Sequence, residues 1–237
     1  MPDRIQKILS AHGIASRREA ERMILDGRVT VDGRPASLGQ QAIFGVNEIA
    51  IDGIPLDPAK SPVYIMLNKP RGYITSASDE RGRKTVMDLV AGVGLRVYPV
   101  GRLDMDSEGL LLLTNDGKFA NSVAHPSFNK LKTYEAEVRG DVARALPMLS
   151  APMEIGDRTI VADSSRLVKE TKSGGILEIA IHEGRNRQIR KMCAKCGLIV
   201  VSLRRVAIGS VTLGMLKPGQ WRYLTEEEVQ ALVGPSL

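Results

Sequence analysis

Three prolines, Pro55, Pro58 and Pro62, stand within eight residues of the stretch IPLDPAKSP. Each removes a backbone donor and fixes its own φ, so neither a helix nor an interior strand can run through. The chain is therefore expected to divide there, into a small unit at 1–54, a linker at 55–62 and a larger unit at 63–237. A length of 237 residues suits one large domain with a small companion.

The small unit carries a compact local pattern. Ile5, Ile8 and Leu9 share one helical face, and Gly13 ends that short helix. Ser16 with Glu19 reads as a capping box opening a second helix, whose apolar face is Ala20, Met23 and Ile24 and whose stop is Gly27. Val29–Val31 and Ile49–Ile51 then alternate as strands, each followed by an Asp-Gly pair of the kind tight hairpins use.

Beyond the prolines, strand-like stretches at 63–68, 110–114, 134–139, 176–181 and 198–203 alternate with glycine-bearing turns and helical segments, which predicts a mixed α+β domain. No stretch approaches the roughly 20 apolar residues that a membrane-spanning helix needs. The start, MPDRIQKILS, has no signal-peptide character, so the protein is expected to stay in the cytoplasm.

The net charge of +6 favours a polyanionic partner, and its placement is informative. Residues 1–60 hold eight basic and eight acidic side chains, so the excess lies entirely in the larger unit. From Gly184 to Arg205 there are seven basic residues and no acidic one, interleaved with apolar positions, so that this charge is expected on one surface. Cys193 and Cys196 fall late in a segment, 186–196, that reads as a helix ended by Gly197. They lack both a second ligand pair for zinc and the helix-start position of a redox dithiol, so they are taken as two reduced, partly buried thiols.

Chemistry is expected in GRLDMDSEGLLLLTNDG, residues 101–117, where Asp104, Asp106 and Glu108 precede four leucines. A calcium loop fails, because its last ligand position falls on Asn115 and β-like sequence precedes it. A glycosidase-like carboxylate pair and a single nucleophilic Asp104 both remain open. No phosphate-binding glycine loop is present, which argues against nucleotide-driven chemistry.

These residues resemble a known family. The GRLD turn and its leucine strand resemble the catalytic motif of the ribosomal RNA pseudouridine synthases, and so, in order, do LNKPRGYITS (67–76), HPSFNKLKTYEAEVRG (125–140), EGRNRQIRKM (183–192) and the stretch from 205 to 229. Residues 3 to about 50 resemble the alpha-L RNA-binding module. The resemblance implies an α+β pseudouridine synthase fold with a mainly antiparallel mixed sheet behind that module, acting as a monomer on ribosomal RNA or a pre-ribosomal particle, away from membranes and with neither metal nor cofactor.

It further implies that Asp104 is the nucleophile, that Tyr134 stacks on the target base and that Arg190 pairs with Asp104. Leu203 packs beneath the base, while Arg102, Arg187, Arg17 and Arg18 are implied to contact the RNA. The basic side chains of Arg4, Lys7 and Arg22 lie on the same two helices. Asp106 reads as a turn or network residue. The large-subunit branch is favoured, the alternatives being the small-subunit branch and a non-catalytic ribosome-assembly factor.

Overall fold

The computed structural model describes residues 1–57 and 61–234, so Pro58, the middle proline of the expected linker, lies outside the described residues. The chain forms two compact units. One comprises residues 1–63 with the short segments 94–97 and 115–117, and the other comprises the rest.

In the small unit, helices Ile5–Ala11 and Arg17–Leu25 pack Ile5, Leu9, Ala20 and Ile24 against Val29 and Ile49. Ser16 Oγ accepts from the Glu19 backbone N–H at 3.1 Å. The reciprocal bond, from the Ser16 N–H to the Glu19 carboxylate, is not made among the described residues, so the expected capping box is half present. Four short antiparallel strands run in the order 34–35, 29–31, 49–51, 54–55. Asp32 and Asp52 take φ 51° before Gly33 and Gly53, the left-handed pair a two-residue hairpin needs. Pro55 pairs with Ala50 on an edge strand, where a missing donor costs nothing, so the sheet continues one residue into the expected linker.

The larger unit is built on one nine-stranded sheet. Its strands in chain order are β1 (Tyr64–Lys69), β2 (Tyr98–Val100), β3 (Glu108–Thr114), β4 (Lys132–Arg139), β5 (Ser164–Thr171), β6 (Gly174–Ile181), β7 (Ile199–Ile208), β8 (Val211–Thr212) and β9 (Trp221–Tyr223). They lie side by side as β5-β6-β4-β7-β3-β1-β9, with β2 on β3 and β8 on β7. Every pairing is antiparallel except the short parallel contact of β3 with β7. The sheet is thus antiparallel with one parallel seam, as the resemblance implies.

Leu110 to Leu113 are all fully buried, because β3 is covered on both faces. Leu110 and Leu112 pack on Phe119 of the following helix, Gly117–Ala124. The seam explains why the second residue of β3 is Gly109. At φ +107°, an added Cβ would stand 2.2 Å from the Arg205 carbonyl oxygen, so only glycine lets the two strands meet. Helix Gln188–Lys195 begins two residues later than the sequence predicts. Arg187 holds the left-handed conformation, φ 53° and ψ 34°, and so ends a turn instead of joining the helix. Cys193 and Cys196 are both buried free thiols, more deeply placed than expected.

Candidate active site

Asp104 sits on a turn between β2 and β3 that the rest of the unit pins from several sides. Gly101 reverses the chain at φ +73°. The hydroxyl of Thr75 donates to the Leu103 carbonyl at 2.7 Å and accepts from the Leu103 N–H at 3.2 Å. The Gly72 N–H donates to the Met105 carbonyl at 2.8 Å. Beneath the turn the ammonium of Lys69, at the end of β1, donates to the carbonyls of Asp104 (3.0 Å), Ser107 (2.8 Å) and Pro70 (3.1 Å). Lys69 has no exposed surface. Burial pulls its pKa down to about 8, against the opposing pull of Asp104, Asp106 and Glu108.

The carboxylates above the turn are held by guanidinium groups. Arg187 Nη1 donates to both Asp106 oxygens at 3.0 Å and lies 3.8 Å from Asp104 Oδ2. Arg190 Nη2 donates to the Asp106 carbonyl at 3.1 Å and stands 3.3 Å from Asp106 Oδ2, while Nη1 reaches the Val200 carbonyl at 3.3 Å. The ion pair of Arg190 is thus with Asp106, and Asp104 attracts its charge from farther away. Arg190 leaves from the first turn of its helix and meets Asp106 first, while the left-handed Arg187 brings its own guanidinium beside Asp104. Burial lowers the Arg190 pKa against the pull of Asp106, and Arg187 and Arg71 lower it further. Asp106 is therefore the network residue the sequence suggested, shared by two arginines.

Asp104 faces a cavity of about 810 Å³. Strands β4 and β7 supply one wall, since Tyr134 pairs with Arg205 and the alternation of strand side chains puts Lys132, Tyr134, Leu203 and Arg205 among its lining residues. Arg102 and Arg187 line it too, so five of the expected site residues, counting Asp104, Tyr134 and Leu203, come together, with Arg190 set behind Asp106. Arg17 and Arg18 instead lie in the small unit, exposed on the first turn of their helix. Lys7 there is held by Asp3 at 2.6 Å, which leaves less free charge on that face than the sequence suggests.

Several cavity residues escape sequence reasoning. Lys132 donates to the carbonyls of Lys130 (3.0 Å) and His182 (2.8 Å), and burial followed by the nearness of Arg205 lowers its pKa. Arg205 is 3% exposed and its charge centre lies 6.0 Å from the Tyr134 ring. The only signal for Lys69 and Arg205 was a cation embedded in an otherwise strand-like run, which reads equally well as an edge residue. Among the described residues no group of three His, Cys, Asp or Glu side chains could hold a metal ion.

Residues 63–195 match the RNA pseudouridylate synthase family, and residues 3–42 match the S4 domain. The chain belongs to the RNA pseudouridylate synthase family. A curated relative, ribosomal large subunit pseudouridine synthase B of Bacillus subtilis (strain 168), is 39% identical over 97% of this chain and 95% of its own length. An RNA pseudouridine synthase of Aquifex aeolicus (strain VF5), itself uncharacterised, is 42% identical over 98% of this chain and 94% of its own. A crystal structure of a pseudouridylate synthase superposes with a TM-score of 0.66 at 28% identity, covering 97% of this chain and 99% of that one. As a pseudouridine synthase, the chain is an isomerase, and its substrate is RNA.

Proposed function

We propose that this synthase isomerises a uridine of ribosomal RNA to pseudouridine, in the large-subunit RNA, with Asp104 as nucleophile, Tyr134 and Leu203 as the platform for the base and Arg187 and Arg190 fixing the carboxylates. The observation that carries the reading is one cavity lined jointly by Asp104, Tyr134, Leu203, Arg102 and Arg187. The large-subunit target is supported by the name of the Bacillus subtilis relative, which matches nearly the whole chain.

A stacked uridine cannot reach a walled cavity, so it must first leave the helix, at a few kcal/mol of lost stacking. The exposed Arg102 at the rim can hold the backbone while Tyr134 receives the ring. The N1–C1′ bond then breaks with its electron pair on the base, and the Asp104 carboxylate takes C1′. After the base turns, C5 supplies the pair that displaces the carboxylate, loses its hydrogen as a proton, and N1 gains one. Atoms balance, and no group is gained or lost.

Residues 1–54 are proposed to act as an RNA-binding module and 63–237 as the catalytic domain, in a cytoplasmic monomer. The test is to map modified uridines in ribosomal RNA from cells lacking the gene, restored with the parent protein or with Asp104→Asn. One large-subunit pseudouridine lost and regained only with the parent supports the reading. A small-subunit site would reassign the target, and no site dependent on Asp104 would leave a binding protein.

A further inference from the structure

The cavity wall holds a positive charge, that of Arg205, with no ion-pair partner among the described residues. Arg205 makes one hydrogen bond, from Nε to the Leu110 carbonyl at 2.8 Å, which fixes the plane of its guanidinium. No carboxylate among the described residues lies within ion-pair distance of it, and its Nη2 is buried without any acceptor. Lys132, two residues before Tyr134 on the same face of β4, adds a second cation to the same wall. A buried guanidinium with an unused donor is costly for folding alone, since both the charge and the lost water hydrogen bond go uncompensated. Such a cost is expected where a ligand supplies the missing acceptor.

We infer that the Arg205 guanidinium is the donor that holds a carbonyl oxygen of the target uracil. This rests on the proposed placement of the base over Tyr134. Arg205 sits directly across from Tyr134 in the strand register, with its charge centre 6.0 Å from the ring, so a base lying on that ring brings its edge to the guanidinium. When the N1–C1′ bond breaks, the electron pair spreads from N1 onto O2 and O4, and a donor fixed beforehand is worth most at that moment.

The geometry of the base adds a second reason. The turn that exchanges N1 for C5 runs about the N3–C6 axis and exchanges O2 for O4. One fixed donor therefore meets a carbonyl before and after rotation. Cytosine would present its amino group in one of the two orientations, and two donors repel, so the same contact selects uracil.

The experiment uses the full-length protein and an RNA fragment containing the mapped uridine, prepared with uridine, 2-thiouridine or 4-thiouridine at that position, because sulfur accepts hydrogen bonds poorly. Single-turnover rates are read for the parent, Arg205→Met and Arg205→Lys, beside thermal melting and RNA binding. Arg205→Met is expected to slow uridine turnover about 100-fold while RNA binding holds, with Arg205→Lys recovering part. At least one sulfur should slow the parent about tenfold and leave Arg205→Met no slower than it already is. If Arg205→Met fails to fold, Arg205→Lys, whose donors sit on a single nitrogen, gives the same coupling. Penalties that simply multiply for both sulfurs, or Arg205→Met within threefold of the parent, overturn the assignment. A parent that forms no pseudouridine would instead sink the proposed function itself.

Discussion

Arg190 and Asp106 meet twice, through the guanidinium and carboxylate at 3.3 Å and through the Asp106 carbonyl at 3.1 Å, so the second carboxylate of the GRLDMD turn anchors it to the helix behind. Asp106→Asn keeps the shape and removes the charge that restrains both Arg187 and Arg190. Turnover is expected to fall about tenfold with RNA affinity little changed, in line with a loss of roughly 1–2 kcal/mol for a charge-assisted contact. Single-turnover kinetics beside a binding titration check this, and an unchanged rate would remove Asp106 from the network.

Replacing the nucleophile itself is a harsher change. Asp104→Asn should give no measurable pseudouridine while RNA binding and the melting temperature stay close to the parent, since Asp104's side chain is 31% exposed and its amide can occupy the same space. Product formation by the variant would assign the chemistry elsewhere.

Lys69 joins three backbone carbonyls under the Asp104 turn. In Lys69→Met those carbonyls lose their donor, and unfolding in urea should show a loss of at least about 2 kcal/mol at neutral pH, with activity falling alongside. The pH dependence has a definite sign. Lys69 titrates near 8 in the folded chain against 10.5 as its ordinary value, so between those pH values the unfolded chain binds more protons. The contribution of Lys69 to stability therefore rises with pH across this window, and the parent should gain on Lys69→Met from pH 8 to 10.

Gly109→Ala places a methyl group 2.2 Å from the Arg205 carbonyl at a φ that side chains avoid. A loss of about 3 kcal/mol or more is expected from strain and the broken seam, read by denaturant unfolding or as insoluble protein. A variant as stable as the parent would mean that β3 and β7 do not make this contact.

Burial pushes the Cys193 thiol up to about 12, so it should resist iodoacetamide in the folded protein at pH 7.5 and react once the chain is unfolded. Mass spectrometry of native and denatured samples decides. Rapid native labelling at Cys193 would contradict its packing.

The strands of the larger unit were readable because alternation and turn residues are local signals. Their boundaries in the sequence agree with β1, β3, β4, β6 and the first half of β7 to within a few residues. The helix starting at Gln188 was read two residues early, because a non-glycine residue in the left-handed conformation leaves no mark in composition. The grouping of Asp104 with Tyr134 and Leu203 came from the order of motifs along the chain, whereas spacing alone left a glycosidase-like pair open.

What the sequence determined by itself was most of the helices and strands and the few residues able to carry the chemistry, since each depends on neighbours in the chain. Which cation faces which carboxylate was decided only by folding. Arg187, Arg190 and Arg205 are alike as residues, and they differ because a left-handed turn, a helix and a glycine-opened strand seam direct them to Asp104 and Asp106, to an ion pair with Asp106, and to no ion pair among the described residues. Ion pairs form between groups that the fold brings together from 80 or more positions apart, and the strength of each is fixed by distances and burial that no local pattern encodes.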